Sequence, residues 1–151
     1  MQQKSYTLHE IFTMGFRAQY SMTKLTKFRS YIPSGMRVFE QGLEVIGANT
    51  RESYANRFVK RRMRQIYLQI DPDNELKSNS LRVMSRSRGW FLKAEKCIGH
   101  VPVDTARKLF ITGMVDKVKV RLQLICIEDN DSIIIRFDIL GPVTDYEKYC
   151  S

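Results

Sequence analysis

Residues 117–140 read KVKVRLQLICIEDNDSIIIRFDIL, and the fold follows from how this stretch is paired. Val118, Val120, Leu122, Leu124 and Cys126 recur at every second position, with Lys117, Lys119, Arg121 and Gln123 between them. After an acidic break, Ile133, Ile135, Phe137 and Ile139 recur in the same way, with Arg136 and Asp138 between them. Alternation of β-branched and polar residues marks half-buried strands. Glu128, Asp129, Asn130 and Asp131 suit a solvated turn. The stretch therefore predicts a long antiparallel hairpin with one apolar face on which the rest of the chain packs.

Working outward, the chain of 151 residues is long enough for one domain whose core needs neither disulfide nor metal. It divides into a basic, aromatic N-terminal part (1–62), a β-rich part (63–142) and a polar tail, TDYEKYCS, within 143–151, expected to be flexible. No apolar run approaches the roughly 20 residues of a membrane-spanning helix. The opening MQQKSYT lacks the apolar core of a signal peptide, which predicts an intracellular protein of cytoplasm or nucleus. Cys97, Cys126 and Cys150 are odd in number and widely spaced, so no disulfide framework is expected. Cys126 falls on the apolar face of the hairpin as a buried thiol.

Charge is distributed unevenly. Residues 1–70 hold 12 Lys and Arg against 4 Asp and Glu, and residues 71–151 hold 13 against 12, so nearly all of the net +9 sits in the first half. No acid occurs between Ile11 and Phe39. Clustered positive charge points to an anionic partner such as nucleic acid or an acidic membrane.

Thr7 and Glu10 are spaced as a capping box ahead of Leu8, Phe12, Phe16 and Tyr20, which predicts an amphipathic helix over 8–20. In SMTKLTKFRSYIPSGMR (21–37), Lys24, Lys27, Arg29 and Arg37 interleave with Leu25, Phe28, Tyr31 and Ile32. Such a mixture can hold phosphates and stack on bases, lie in a membrane interface, or be an ordinary connector. Met36 to Gly47 contains two short strands broken at Gly42. Arg57, Lys60, Arg61, Arg62 and Arg64 form the densest basic run. It is read as a short helix or turn to about Arg61, followed by a strand from Met63 to Ile70. A second hairpin is expected over 81–98, turning at Ser87-Arg88-Gly89, with Trp90, Leu92, Ala94 and Ile98 on one face of its return strand. Asp104 is positioned to cap a short helix, TARKLFIT, that ends at Gly113.

Catalytic signatures are absent. There is no phosphate-binding Gly loop, no H-E-x-x-H and no G-x-S-x-G. Asp71, Asp73 and Glu75 lack the glycine and distal glutamate of a calcium loop. Cys97-x-x-His100 offers half of a zinc site with nothing to complete it. The sequence thus predicts a non-enzymatic protein with no cofactor or metal.

Gly113-Met114-Val115-Asp116 leading into the alternating strand Lys117–Ile127 and the acidic turn Glu128-Asp129, together with a basic aromatic N-terminal half, resembles the matrix proteins of non-segmented negative-strand RNA viruses, the rhabdovirus type in particular. The proline-rich budding motifs of that family are absent. The resemblance implies a virion structural protein that binds nucleoprotein or RNA and anionic membrane and self-associates as a homo-oligomer. The alternatives are a small RNA-binding module, a regulator or silencing suppressor in which Phe28, Tyr31 or Trp90 stacks on bases, and an adaptor for an acidic protein. In the first two readings the phosphate-binding residues are Lys24, Lys27, Arg29, Arg57, Lys60, Arg61, Arg62 and Arg64. The fold class expected is α+β: an antiparallel sheet of about 5–7 strands with an N-terminal helix and one short later helix.

Overall fold

The computed structural model describes residues 22–28, 31–50, 52–61, 64–72, 80–86 and 95–151. Among the described residues there are seven strands: β1 (Met22–Lys27), β2 (Met36–Glu44), β3 (Gln65–Ile70), β4 (Leu81–Arg86), β5 (Glu95–His100), β6 (Lys119–Glu128) and β7 (Ile133–Pro142). Three α-helices accompany them: α1 (Glu52–Lys60), α2 (Val103–Ile111) and α3 (Tyr146–Cys150). The α+β class and the strand count are as expected, but the strands form two antiparallel sheets and not one, in the orders β1-β6-β7-β2 and β3-β4-β5. The helix predicted over 8–20 lies outside the described residues. Of the first sheet's strands, β2 falls where strands were expected, whereas β1 comes from the basic aromatic stretch 21–37 read as a connector or anion-binding segment.

The two sheets meet on one side at an antiparallel bridge between Ile46 and His100, whose amides and carbonyls exchange bonds of 2.9 and 2.8 Å. Gly99 makes that approach possible, because a Cβ there would fall 2.5 Å from the carbonyl oxygen of Ile46. On the other side β3 lies against β6. Between the sheets Leu81, Val83, Ile98, Ile125, Ile135, Phe137 and Ile139 are at most 2% exposed. Ala55 and Phe58 of α1 and Leu109 of α2 close this core.

The central hairpin forms as predicted, with one change. Pairing runs in register from Lys119↔Leu140 to Leu122↔Phe137, then resumes at Leu124↔Arg136. Gln123 is the extra residue of a β-bulge, and its carbonyl accepts the amide of Phe28 at 2.9 Å. A one-residue slip exchanges the faces of a strand. Val118, Val120 and Leu122 face the core, but beyond the bulge Ile125 and Ile127 take that side. Leu124 and Cys126 turn to the far face, where they cluster with Ile134. Cys126 is buried as expected, on the face opposite to the one predicted, and burial pushes its thiol pKa up, with Glu128 adding to the effect.

Met36–Glu44 is a single strand, not two, bent where pairing skips from Glu40↔Ile139 to Leu43↔Phe137. The Gly42 amide freed by that bend donates to Asp138 Oδ1 at 2.8 Å. Asp138 is fully buried, and its other oxygen accepts from Arg121 Nε at 2.7 Å. The bend thus supplies part of the solvation that a carboxylate inside a strand requires.

One further expectation is corrected. Asp104 does not cap its helix: Pro102 precedes it, and the Asp104 side chain is 98% exposed. Gly113 does end that helix, in a left-handed conformation (φ 66°), with the Met114 amide bonded back to Leu109. The tail carries α3, which brings Tyr149 to 1% exposure, stacked on Phe39 with ring centroids 4.7 Å apart. The second hairpin is β4–β5, but its described return strand begins at Glu95; Ser87 to Ala94, with the expected turn and Trp90, lie outside the described residues.

Candidate nucleic-acid interface

β1 pairs only with the end of β6 beyond the bulge, from Lys27↔Leu124 to Met22↔Glu128. The first part of β6 therefore faces β3 without a strand between them. A cavity of about 360 Å³ opens there, lined by Phe28, Arg64, Gln65, Ile66, Tyr67, Arg86, Val120, Arg121 and Leu122. Its walls combine two aromatic rings with three guanidinium groups.

Each arginine is held differently. Arg121 is neutralised by buried Asp138. Arg64 folds back on α1, and its Nε and Nη2 donate to the Val59 carbonyl at 3.1 and 2.6 Å. That carbonyl belongs to the last turn of the helix, where cations are favoured. The Arg64 guanidinium lies 5.5 Å from the Phe28 ring centroid, and no carboxylate among the described residues pairs with it. Arg86 lies 4.9 Å from the Tyr67 ring and pairs with Glu95 at 3.3 Å. Tyr67 donates its hydroxyl to the other Glu95 oxygen at 2.6 Å. Burial, then the hydrogen bond and charge of Glu95, push the Tyr67 pKa up to about 12, against a smaller opposing pull from Arg86.

The structure brings together only part of the basic set read from sequence. Lys24 and Thr26 share a crevice with Val59, Arg64, Ile125 and Ile127, so Lys24 and Arg64 converge from distant parts of the chain. Lys27 sits opposite Leu124, on the far face of the sheet. Arg57 and Lys60 are exposed in the last turn of α1, and Arg61 is half-buried. Arg29 and Arg62 lie outside the described residues. Tyr31 is 82% exposed and is not part of the cavity wall. The sequence alone offers Arg86, with Arg82 and Arg88, as an extension of the basic surface; it does not point to Tyr67 or Arg121, which reach the cavity through strand pairing.

Cys97 and His100 do not form a metal half-site. The Cys97 thiol donates to the Gly99 carbonyl, and His100 Nε2 lies 3.3 Å from Asp71, which also pairs with Arg82 at 2.6 Å. No cluster of three or more His, Cys, Asp or Glu suited to a metal occurs among the described residues. No described helix is long and apolar enough to cross a membrane. No family model, curated protein or solved structure matches the chain.

Proposed function

We propose that the protein is a non-enzymatic binding module for polyanions. Its ligand is single-stranded nucleic acid, with RNA the expected polymer. The observation that carries this reading is the cavity, where Phe28 and Tyr67 stand beside Arg64, Arg86 and Arg121, with Lys24 beside Arg64. Aromatic faces stack on bases of any sequence, and guanidinium and ammonium groups take the phosphates between them. The matrix-like reading draws on the same cations for anionic lipid. A bilayer is flat and rewards protruding rings, whereas Phe28 and Tyr67 line a recess between strands, a shape suited to a base turned out of the chain.

The test is a salt series of binding to single-stranded RNA and to anionic vesicles, with wild type and Arg64→Gln/Lys24→Gln. RNA affinity is expected to fall with salt, with a log–log slope of about −0.7 per phosphate contacted. The double variant is expected to lose roughly 1.4 of that slope. Binding to vesicles and not to RNA would move the function to the matrix reading. Binding to neither would remove both.

A further inference from the structure

Tyr67 and Arg86 line the cavity, and both bond to Glu95. We propose, on the basis of the nucleic-acid reading, that Glu95 is an internal stand-in for a ligand phosphate, and that a strand phosphate displaces it from Arg86 when the cavity fills.

Four observations support this. Arg86 lines the cavity, so a ligand there meets its guanidinium. The Arg86–Glu95 pair is exposed, at 52% and 40% for the two side chains, and is long at 3.3 Å through Nε alone. Such pairs contribute little and are easily exchanged. Both Nη groups of Arg86 carry no hydrogen bond among the described residues, which leaves the forked edge of the guanidinium for a phosphate. The shorter of the carboxylate's two bonds to this group is the 2.6 Å bond from the Tyr67 hydroxyl, not the one to Arg86. Tyr67 is half-buried, so its hydroxyl has access to water once Glu95 has moved.

A second group in the molecule shows what a permanent version of this wiring looks like. Tyr149 donates to Glu40 at 2.6 Å, and Lys108 lies 3.8 Å from the same carboxylate and 4.1 Å from the Tyr149 ring. There Tyr149 is 1% exposed and its hydroxyl depends on Glu40. Glu95 serves no comparable buried hydroxyl. Its contact with Arg86 is the long, exposed one that a stronger anion would replace.

The experiment measures anisotropy of a labelled oligouridylate of about ten nucleotides, within the usual site size for a single-strand groove, with the full chain. Glu95→Gln keeps an oxygen for the Tyr67 hydroxyl and removes the charge. It is expected to bind about five-fold tighter than wild type, by the weight of one exposed ion pair. In an Arg86→Gln background the same change is expected to give no gain, because the gain acts through Arg86. Circular dichroism confirms that each variant is folded. Unchanged or weaker binding by Glu95→Gln, with wild type binding normally, overturns the proposal. So does a gain that persists undiminished without Arg86, since Glu95 would then act only as a distant charge. If neither protein binds any oligonucleotide, the nucleic-acid reading falls and the displacement falls with it.

Discussion

Two tyrosine–glutamate–cation groups sit in different parts of this molecule, one closed and one open. In the closed group Tyr149, Glu40 and Lys108 join α3, β2 and α2, and Phe39 stacks on Tyr149. Arg37 adds a cation 3.4 Å from the Tyr146 ring. Gly141 makes room, since a Cβ there would fall 2.3 Å from the Phe39 ring. In the open group Tyr67 and Arg86 line a cavity, and both bond to Glu95. The residue types match, and the hydroxyl-to-carboxylate distance is 2.6 Å in both. What differs is the tyrosine, buried at Tyr149 and half-buried at Tyr67. A basic–aromatic cluster is therefore not by itself a site: with a buried tyrosine it fastens α3 to β2, and only the exposed one is proposed to take a ligand.

The comparison is broken most directly at Phe39. Phe39→Ala empties the closed group and is expected to cost about 3–5 kcal/mol, read by chemical denaturation. Tyr67→Phe, its counterpart at the open group, is expected to cost under about 1 kcal/mol, because the Glu95 bond is exposed. Equal costs would mean that both groups are structural.

Asp138→Ala tests the arginine that the cavity borrows from the fold. It removes the buried carboxylate from Arg121 and the acceptor from the Gly42 amide. The expected loss is about 3 kcal/mol, again by denaturation. A loss near zero would show that Arg121 does not rely on Asp138.

Alkaline pH gives a smaller separation of the two groups. Burial first, then the bond and charge of Glu40, raise the Tyr149 pKa far above its ordinary value. An unfolded tyrosine ionises near pH ~10. Above that pH the folded state binds more protons than the unfolded state, so the stability Tyr149 contributes is complete below about pH 10 and is lost as pH rises further. Tyr149→Phe is expected to flatten that loss. Tyrosinate absorbance should show Tyr67 ionising near 12 in the folded protein and Tyr149 only on unfolding.

The hairpin was legible because alternation and an acidic turn are local signals. The bulge at Gln123 was not. Leu124-Ile125-Cys126-Ile127 is apolar at every position, so either parity reads as a strand face, and the choice is made by the distant Phe28 amide. β1 was hidden because MTKLTK is too polar to look half-buried. In the tail the signal was present: Tyr146 and Tyr149 are one helical turn apart, and their partner Phe39 lies more than a hundred residues earlier. At the candidate site the basic run named Lys24 and Arg64 but also Lys27, because charge counting does not say which face of a strand a residue takes. Arg86 was legible only as added charge, and its partners Tyr67 and Glu95 were not, because pairing across β3, β4 and β5 assembles them.

On the proposed reading, the open group receives the ligand and the closed group does not. The most direct test is a titration of isotope-labelled protein with a short single-stranded RNA, followed by amide and side-chain chemical shifts. The account predicts shifts at Phe28, Arg64, Tyr67 and Arg86, with Arg37, Tyr146 and Tyr149 unmoved. Shifts confined to the closed group, or none at the cavity while binding is evident by another method, would contradict it.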